Sequence, residues 1–394
     1  MLNNASKFPQ TVKDREQLRR IVIRVVTSLL NLIIGPAGAW AALGIKGILG
    51  YIFVHTITKS IVAEASSTNE VISKRVYRVS PLLLFFGGAM PFIWGGWESQ
   101  VIGVPLLLGS FVGAYWSAFH GFRKSSSTEG ERKSVKSFQK WEIASTILAA
   151  LLVVLLKSED LDQYAGSLGS ALALLAILIP MNEGGSKASV GFSTSDITTE
   201  KAIFGRLIAG SFGTIAYLTT WSMRIVSMQA GGIALLGGMV ALSSFVGFII
   251  SEINDRFSSP EDADRRNWKV GTYLSLTGIV VMTISLVYTQ EEMFLVAYLV
   301  CRGGTSGILH HLEVRIAGQL LSGGGGIIGL RERIKFRIQT KILLGYLVFA
   351  VPIIAYLGEI PDVEILLIPV LLFSAMCCVL NLHLMNEMRT LQLA

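Results

Sequence analysis

Apolar blocks recur along the chain, each roughly 18 to 23 residues long, close to the ~20 residues a helix needs to cross ~30 Å of hydrocarbon. Inside lipid an unpaired backbone amide has no water to bond, so blocks of this kind are forced into helices. Composition points the same way. The chain is 52% hydrophobic and only 15% charged, against about a quarter charged in soluble domains. The expected class is an all-α polytopic membrane protein. Its three cysteines, Cys301, Cys377 and Cys378, lie inside apolar blocks and make neither a disulfide framework nor a zinc pattern.

Twelve spans are expected, at about 21–42, 43–62, 77–97, 101–122, 141–157, 162–181, 204–226, 231–252, 268–289, 292–312, 341–357 and 364–386. The first two are separated only by "GPAGAWA", read as a tight Gly-Pro turn. The charges test the count. Of the 34 Lys and Arg residues, all but Lys46, Lys157, Arg224 and Arg302 fall on the side that holds both termini. The opposite edge carries Glu98, Glu159, Asp160, Asp162, Glu291, Glu292, Glu359, Asp362 and Glu364. The positive-inside rule therefore predicts both termini in the cytoplasm, in the plasma (inner) membrane. The basic balance is then a topology signal, helped by anionic lipid, and not a sign of nucleic-acid binding. A basic start, an apolar run and "AGAWA" also suit a cleaved signal peptide. Against this, Arg24 interrupts the run, and removal would break the charge alternation.

The chain halves. Six spans precede residue 182 and six follow residue 203, joined by "NEGGSKASVGFSTSDITTEK", a Gly/Ser/Thr-rich segment that reads as a linker. The expected domains are 1–181, 182–203 and 204–394. In each half the fourth span ends in a histidine-bearing segment, "AFHGFR" and "ILHHLEVR", and a basic loop leads into the fifth. Parallel six-span repeats are one architecture of secondary transporters, with the solute site at mid-depth between the halves.

Twelve spans, a mid-chain linker and a basic fourth-to-fifth loop resemble the major facilitator superfamily. Members often carry G-x-x-x-D-R-x-G-R-[KR] after the second span and a fainter copy after the eighth. After span eight this chain reads "SEINDRFSSPEDADRR", in which Asp255 and Arg256 match the central pair while Ser251 and Ser258 replace glycines. After span two, Ser60 and Glu64 keep the spacing of the first glycine and the acid, with no arginine beside the acid. The resemblance implies that Asp255, Arg256 and Glu64 gate the ends of helices. It also implies secondary active transport of a small solute by alternating access. The alternatives are a lipid flippase or scramblase on the same fold, and a non-transporting assembly factor.

Arg302 is the feature most in need of a role. It lies near the centre of span ten, followed by Gly303 and Gly304. Central ionisable residues generally face a bundle interior or an aqueous cavity. With Lys46, Asn31, Tyr115 and Trp116 it forms the expected substrate-binding set, suited to an anionic or zwitterionic solute. The bland reading has Arg302 bonding helix-end carbonyls and Lys46 snorkelling to headgroups. All 27 acids are placed in loops or at span ends, which leaves His120, His310 and Glu142 as proton-coupling candidates. His55 and His311 are placed at span ends, and Trp221 and Tyr217 in an interfacial aromatic belt. Gln229 is a further candidate for polar lining. "SGGGGIIG" lacks the Lys-Ser/Thr of a phosphate loop, and neither GxSxG nor HExxH occurs. No enzyme, cofactor, metal or nucleic-acid partner is expected. The partners expected are a small-molecule or lipid substrate and the surrounding membrane lipid.

Overall fold

The computed structural model describes residues 12–66, 70–122, 144–149, 151–153, 169–174, 200–257, 263–310, 312–313, 316–317, 320, 328–357 and 362–390. Among them there is no strand. The long helices are α1 (Val12–Thr27), α2 (Gly35–Ser66), α3 (Glu70–Val79), α4 (Pro81–Ile93), α5 (Val104–Phe122), α6 (Glu200–Phe257), α7 (Ala263–Val287), α8 (Glu291–Arg302), α9 (Ile328–Leu357) and α10 (Val363–Thr390). Three π-helical stretches, Ser28–Ile34, Ser99–Gly103 and Gly303–Leu309, continue α1, precede α5 and continue α8. In ten of the twelve expected spans most of the described residues are helical. The fifth and sixth are described only at 144–149, 151–153 and 169–174, all helical.

Among the described residues six helices are long and apolar enough to cross a membrane, and two of these, Ile21–Ser66 and Ile203–Asn254, are long enough for two crossings each. Each of the two is broken once. α2 leaves helical geometry at Leu43 and Gly44, and α6 does so at Gly232. Gly44 (φ 58°, ψ −137°) and Gly232 (φ 64°, ψ −154°) adopt the same unusual backbone. A side chain would be strained in that region, so glycine is required at both turns. The matching breaks fall between the first two spans of each half, one sign of the internal repeat. The first turn corrects the sequence reading. Gly35 and Pro36 are helical, and the chain reverses after "GPAGAWA", not within it. Proline is tolerated there because the π-helical stretch Ser28–Ile34 just before it already departs from the regular ladder that its ring would disrupt.

The surface is turned inside out relative to a soluble protein. Large apolar side chains such as Phe86, Ile93, Phe245, Val296, Val348 and Met376 are exposed around the bundle, as expected where the solvent is lipid. The interior carries serine and threonine hydroxyls bonded to their own helix, as in Thr219 to the Ile215 carbonyl and Ser275 to the Gly271 carbonyl. Small residues let helices close up. A Cβ on Gly304 would stand 2.4 Å from the Gly271 carbonyl oxygen, so α7 presses directly on the segment that follows Arg302.

α9 departs most from expectation. Residues 329–341 read as a basic loop, yet the helix already runs from Ile328. Ile334, Lys335, Phe336 and Gln339 are buried within it. The linker expected at 182–203 lies outside the described residues up to 199, and α6 begins at Glu200.

Candidate functional site

Four helices bring polar and aromatic side chains together by repeating them at helical spacing. α2 carries Tyr51, His55 and Lys59. α6 carries Tyr217, Trp221 and Arg224, α8 carries Tyr298 and Arg302, and α9 carries Lys335 and Gln339. Residues three or four apart share a helix face, so each helix offers one stripe to the interior. At ~1.5 Å per residue, Tyr51, Arg224 and Arg302 lie about 10–17 Å in from Gly44, Gly232 and Glu291, near mid-depth of the membrane.

The central layer is aromatic and cationic. Tyr51 and His55 stack with ring centroids 5.8 Å apart, and Trp221 packs on them at 5.9 and 6.5 Å. Tyr217 meets Trp221 at 6.4 Å. The Arg224 guanidinium lies 4.2 Å over the Trp221 ring and within electrostatic range of Tyr51, Tyr217, Tyr298 and Arg302. Arg224 is 5% exposed and Arg302 is half-buried. Among the described residues neither guanidinium meets a carboxylate, and the Nε of each is buried without a hydrogen-bond partner. The same holds for the Tyr51 hydroxyl, both ring nitrogens of His55 and the Asn31 Oδ1. A buried charge without a partner costs several kcal/mol in a real protein. Buried polar atoms are normally hydrogen-bonded, so the unpaired atoms of Tyr51, His55, Arg224 and Arg302 leave bonding capacity that water or a ligand can take up.

Toward the basic side the stripes become a bonded ladder. The hydroxyls of Thr56 and Tyr217 hydrogen-bond each other. Lys59 Nζ donates to Gln339 Oε1 at 2.6 Å and sits over the rings of Tyr217 and Phe336. Gln339 Nε2 in turn donates to the Gly213 carbonyl at 3.3 Å. One layer further, Lys335 Nζ donates to Glu313 Oε2 at 2.9 Å, with the Glu313 side chain fully buried. Glu64 pairs with Arg337 at the rim. The ladder joins residues before 182 to residues after 203.

The expected site residues separate into three groups. Arg302 and Asn31 are placed in the interior, and Glu64 is placed in an ion pair between the halves. Lys46 and Tyr115 do not line the centre, which corrects the sequence reading. Lys46 is exposed two residues past Gly44, too near the end of its span to reach Arg302. Tyr115 is sandwiched between Tyr77 and Phe111 at 5.1 Å from each, and Trp116 packs edge-on against it while holding Arg24 over its ring. Both serve packing inside the first half. His310 stacks on Phe212 within the second half. The side chains of Asp255, Arg256 and His120 lie outside the described residues, as does Glu142. Gln229 is exposed and lines a shallow pocket with Ser285, Thr289, Gln290, Glu291 and Glu364, apart from the central layer.

Several interior residues escaped the sequence reading. In the sequence Arg224, Trp221 and Tyr217 fall toward the outer end of the span 204–226 and His55 toward the other end of its own, yet they build the central layer. Lys59, Lys335 and Glu313 are buried as well, so ionisable groups reach deeper than the span boundaries implied. Their signal was present as the i, i+4 recurrence of polar residues on one helix face.

No family model and no curated protein matches the sequence. The fold has clear relatives among solved structures. A D-xylose-proton symporter superimposes with a TM-score of 0.66 at 10% identity, over 94% of this chain and 97% of that one. A bacterial homologue of the iron transporter ferroportin, outward-facing, gives 0.64 at 13% identity over 96% and 100%. An autoinhibited peptide transporter of the POT family gives 0.64 at 10% identity over 94% and 95%. At such identities the likeness speaks for the fold, over nearly the full length of each partner: the chain shares the overall helical fold of these transport proteins.

Proposed function

We propose that the protein is a secondary transporter that carries a small anionic solute through the centre of the bundle by alternating access. The carrying observation is the pair Arg224 and Arg302, two guanidiniums at mid-depth that meet no acid among the described residues. Burial of such charges is costly, and ionisable residues inside a membrane generally mark a substrate or ion path. Fold neighbours support the class. They include a sugar–proton symporter, a peptide transporter, and a ferroportin homologue captured both outward- and inward-facing.

In this reading residues 1–181 and 204–394 form two six-helix bundles that rock about the central layer, with the termini and the connecting segment in the cytoplasm. The Thr56–Tyr217, Lys59–Gln339, Lys335–Glu313 and Glu64–Arg337 contacts then close the cytoplasmic side, and opening that side breaks those that cross between the bundles. Solute reaches Arg302 from the acidic side, is held by the two guanidiniums, and leaves once the ladder parts.

The test is uptake into proteoliposomes loaded with a panel of labelled anions under pH and sodium gradients. Accumulation that disappears in Arg302→Ala, while the variant still inserts and elutes as a single species, is the expected result. Transport unaffected by Arg302→Ala would sink the assignment. Movement of labelled lipid between leaflets without solute flux would turn the reading toward a flippase.

A further inference from the structure

Resting on the transport reading, the charge arrangement goes one step further than "anion". We infer that the central layer is built for a divalent oxyanion, such as a phosphate-type or dicarboxylate group, and not for a monovalent one.

The argument is a count of charge and of bonding capacity. The two ladder cations nearest the layer are already engaged: Lys335 by Glu313, and Lys59 by Gln339 and two aromatic faces. Arg224 rests on the Trp221 ring, but neither it nor Arg302 meets a carboxylate among the described residues, the Nε of each is buried without a hydrogen-bond partner, and the two stand within electrostatic range of each other. Like charges repel strongly where water is excluded. A single negative charge cancels only half of this pair and leaves the other half buried. Two negative charges on one ligand cancel both. A guanidinium is a rigid fork that matches the oxygens of a carboxylate or phosphate two at a time. Two forks approaching from different helices suit a ligand with at least three acceptor oxygens.

The neutral groups agree. The Tyr51 hydroxyl is buried without a partner and can donate, and a neutral His55 ring offers one donor and one acceptor.

The experiment measures thermal stabilisation of the purified full chain in detergent, at fixed ionic strength and pH 7.5. Phosphate, sulfate and succinate are the divalent probes, and lactate, formate and chloride the monovalent ones. Divalent anions should raise Tm in a saturable way, with a half-maximal concentration at least tenfold lower than any monovalent anion. Arg302→Gln removes one positive charge and should erase that preference or reverse it toward monovalent anions. Arg224→Lys keeps the charge, guards against a folding defect, and should retain the divalent preference with weaker binding. Equal stabilisation by both sets overturns this inference and leaves the anion-transport reading standing. Stabilisation by neither set, in a protein that does transport a neutral or cationic solute, overturns both.

Discussion

Glu64 and Arg337, 273 residues apart in the chain, form an ion pair between α2 and α9. Both side chains are partly exposed, so the pair should contribute no more than ~1 kcal/mol to stability. Even ~1 kcal/mol is several-fold in a two-state equilibrium. Glu64→Gln and Arg337→Gln should leave the unfolding temperature almost unchanged while speeding hydrogen exchange over residues 56–66 and 335–340. The charge swap Glu64→Arg with Arg337→Glu should restore the slow exchange. Indifference of exchange to all three variants would make the pair incidental.

The ion pair of Lys335 with Glu313 obeys different energetics because both side chains are buried. Removing one partner leaves a charge without compensation, at a cost of about 3–5 kcal/mol. Glu313→Ala should therefore unfold far more readily than wild type in a thermal scan. The double variant Glu313→Gln with Lys335→Met, which strands no charge, should be closer to wild type than Glu313→Ala alone. A strictly additive double-mutant cycle would contradict the pairing.

Gly44 and Gly232 should be intolerant for backbone reasons alone, since nothing crowds a Cβ at either site. Alanine at each should cost about 1–3 kcal/mol through strain. Gly345 is also uncrowded but helical, so Gly345→Ala should be neutral or stabilising by up to ~1 kcal/mol. Unfolding of the three variants side by side separates conformation from packing.

Arg224→Gln should reduce transport at least as much as Arg302→Gln, because Arg224 is the more deeply buried of the two and also organises Trp221. If both supply charge to one ligand, the double variant should be little worse than either single one. Initial rates of anion uptake provide the measurement, and a fully multiplicative double variant would argue for two separate sites.

The fold was legible in the sequence because lipid leaves a chain few choices. Uncharged runs of helical length, with basic residues gathered at alternate ends, specify crossings whatever the side-chain detail. The helical extent of α9 was not legible, because its first three turns carry Arg331, Arg333, Lys335 and Arg337. Charge density hid a face that buries Ile334, Lys335 and Gln339. The site was half legible. Arg302 stood out because it interrupts a long apolar run. Arg224 did not, because a span drawn to end at residue 226 puts it at an edge, whereas the helix continues to Gly232. His55 and Lys59 were misplaced by the same kind of boundary error. Which helix faces meet in the middle is a tertiary fact that no single-helix pattern contains.

Trp221 gives the molecule an optical handle. Its indole shares contacts with Tyr51, His55 and Tyr217 and carries a guanidinium over its face, whereas Trp94 and Trp97 stand at the periphery. A cation resting on an indole alters its emission, and drawing that cation away changes the signal. Fluorescence quenching or recovery should thus report occupancy in real time without any attached dye, and Trp221→Phe should silence the response.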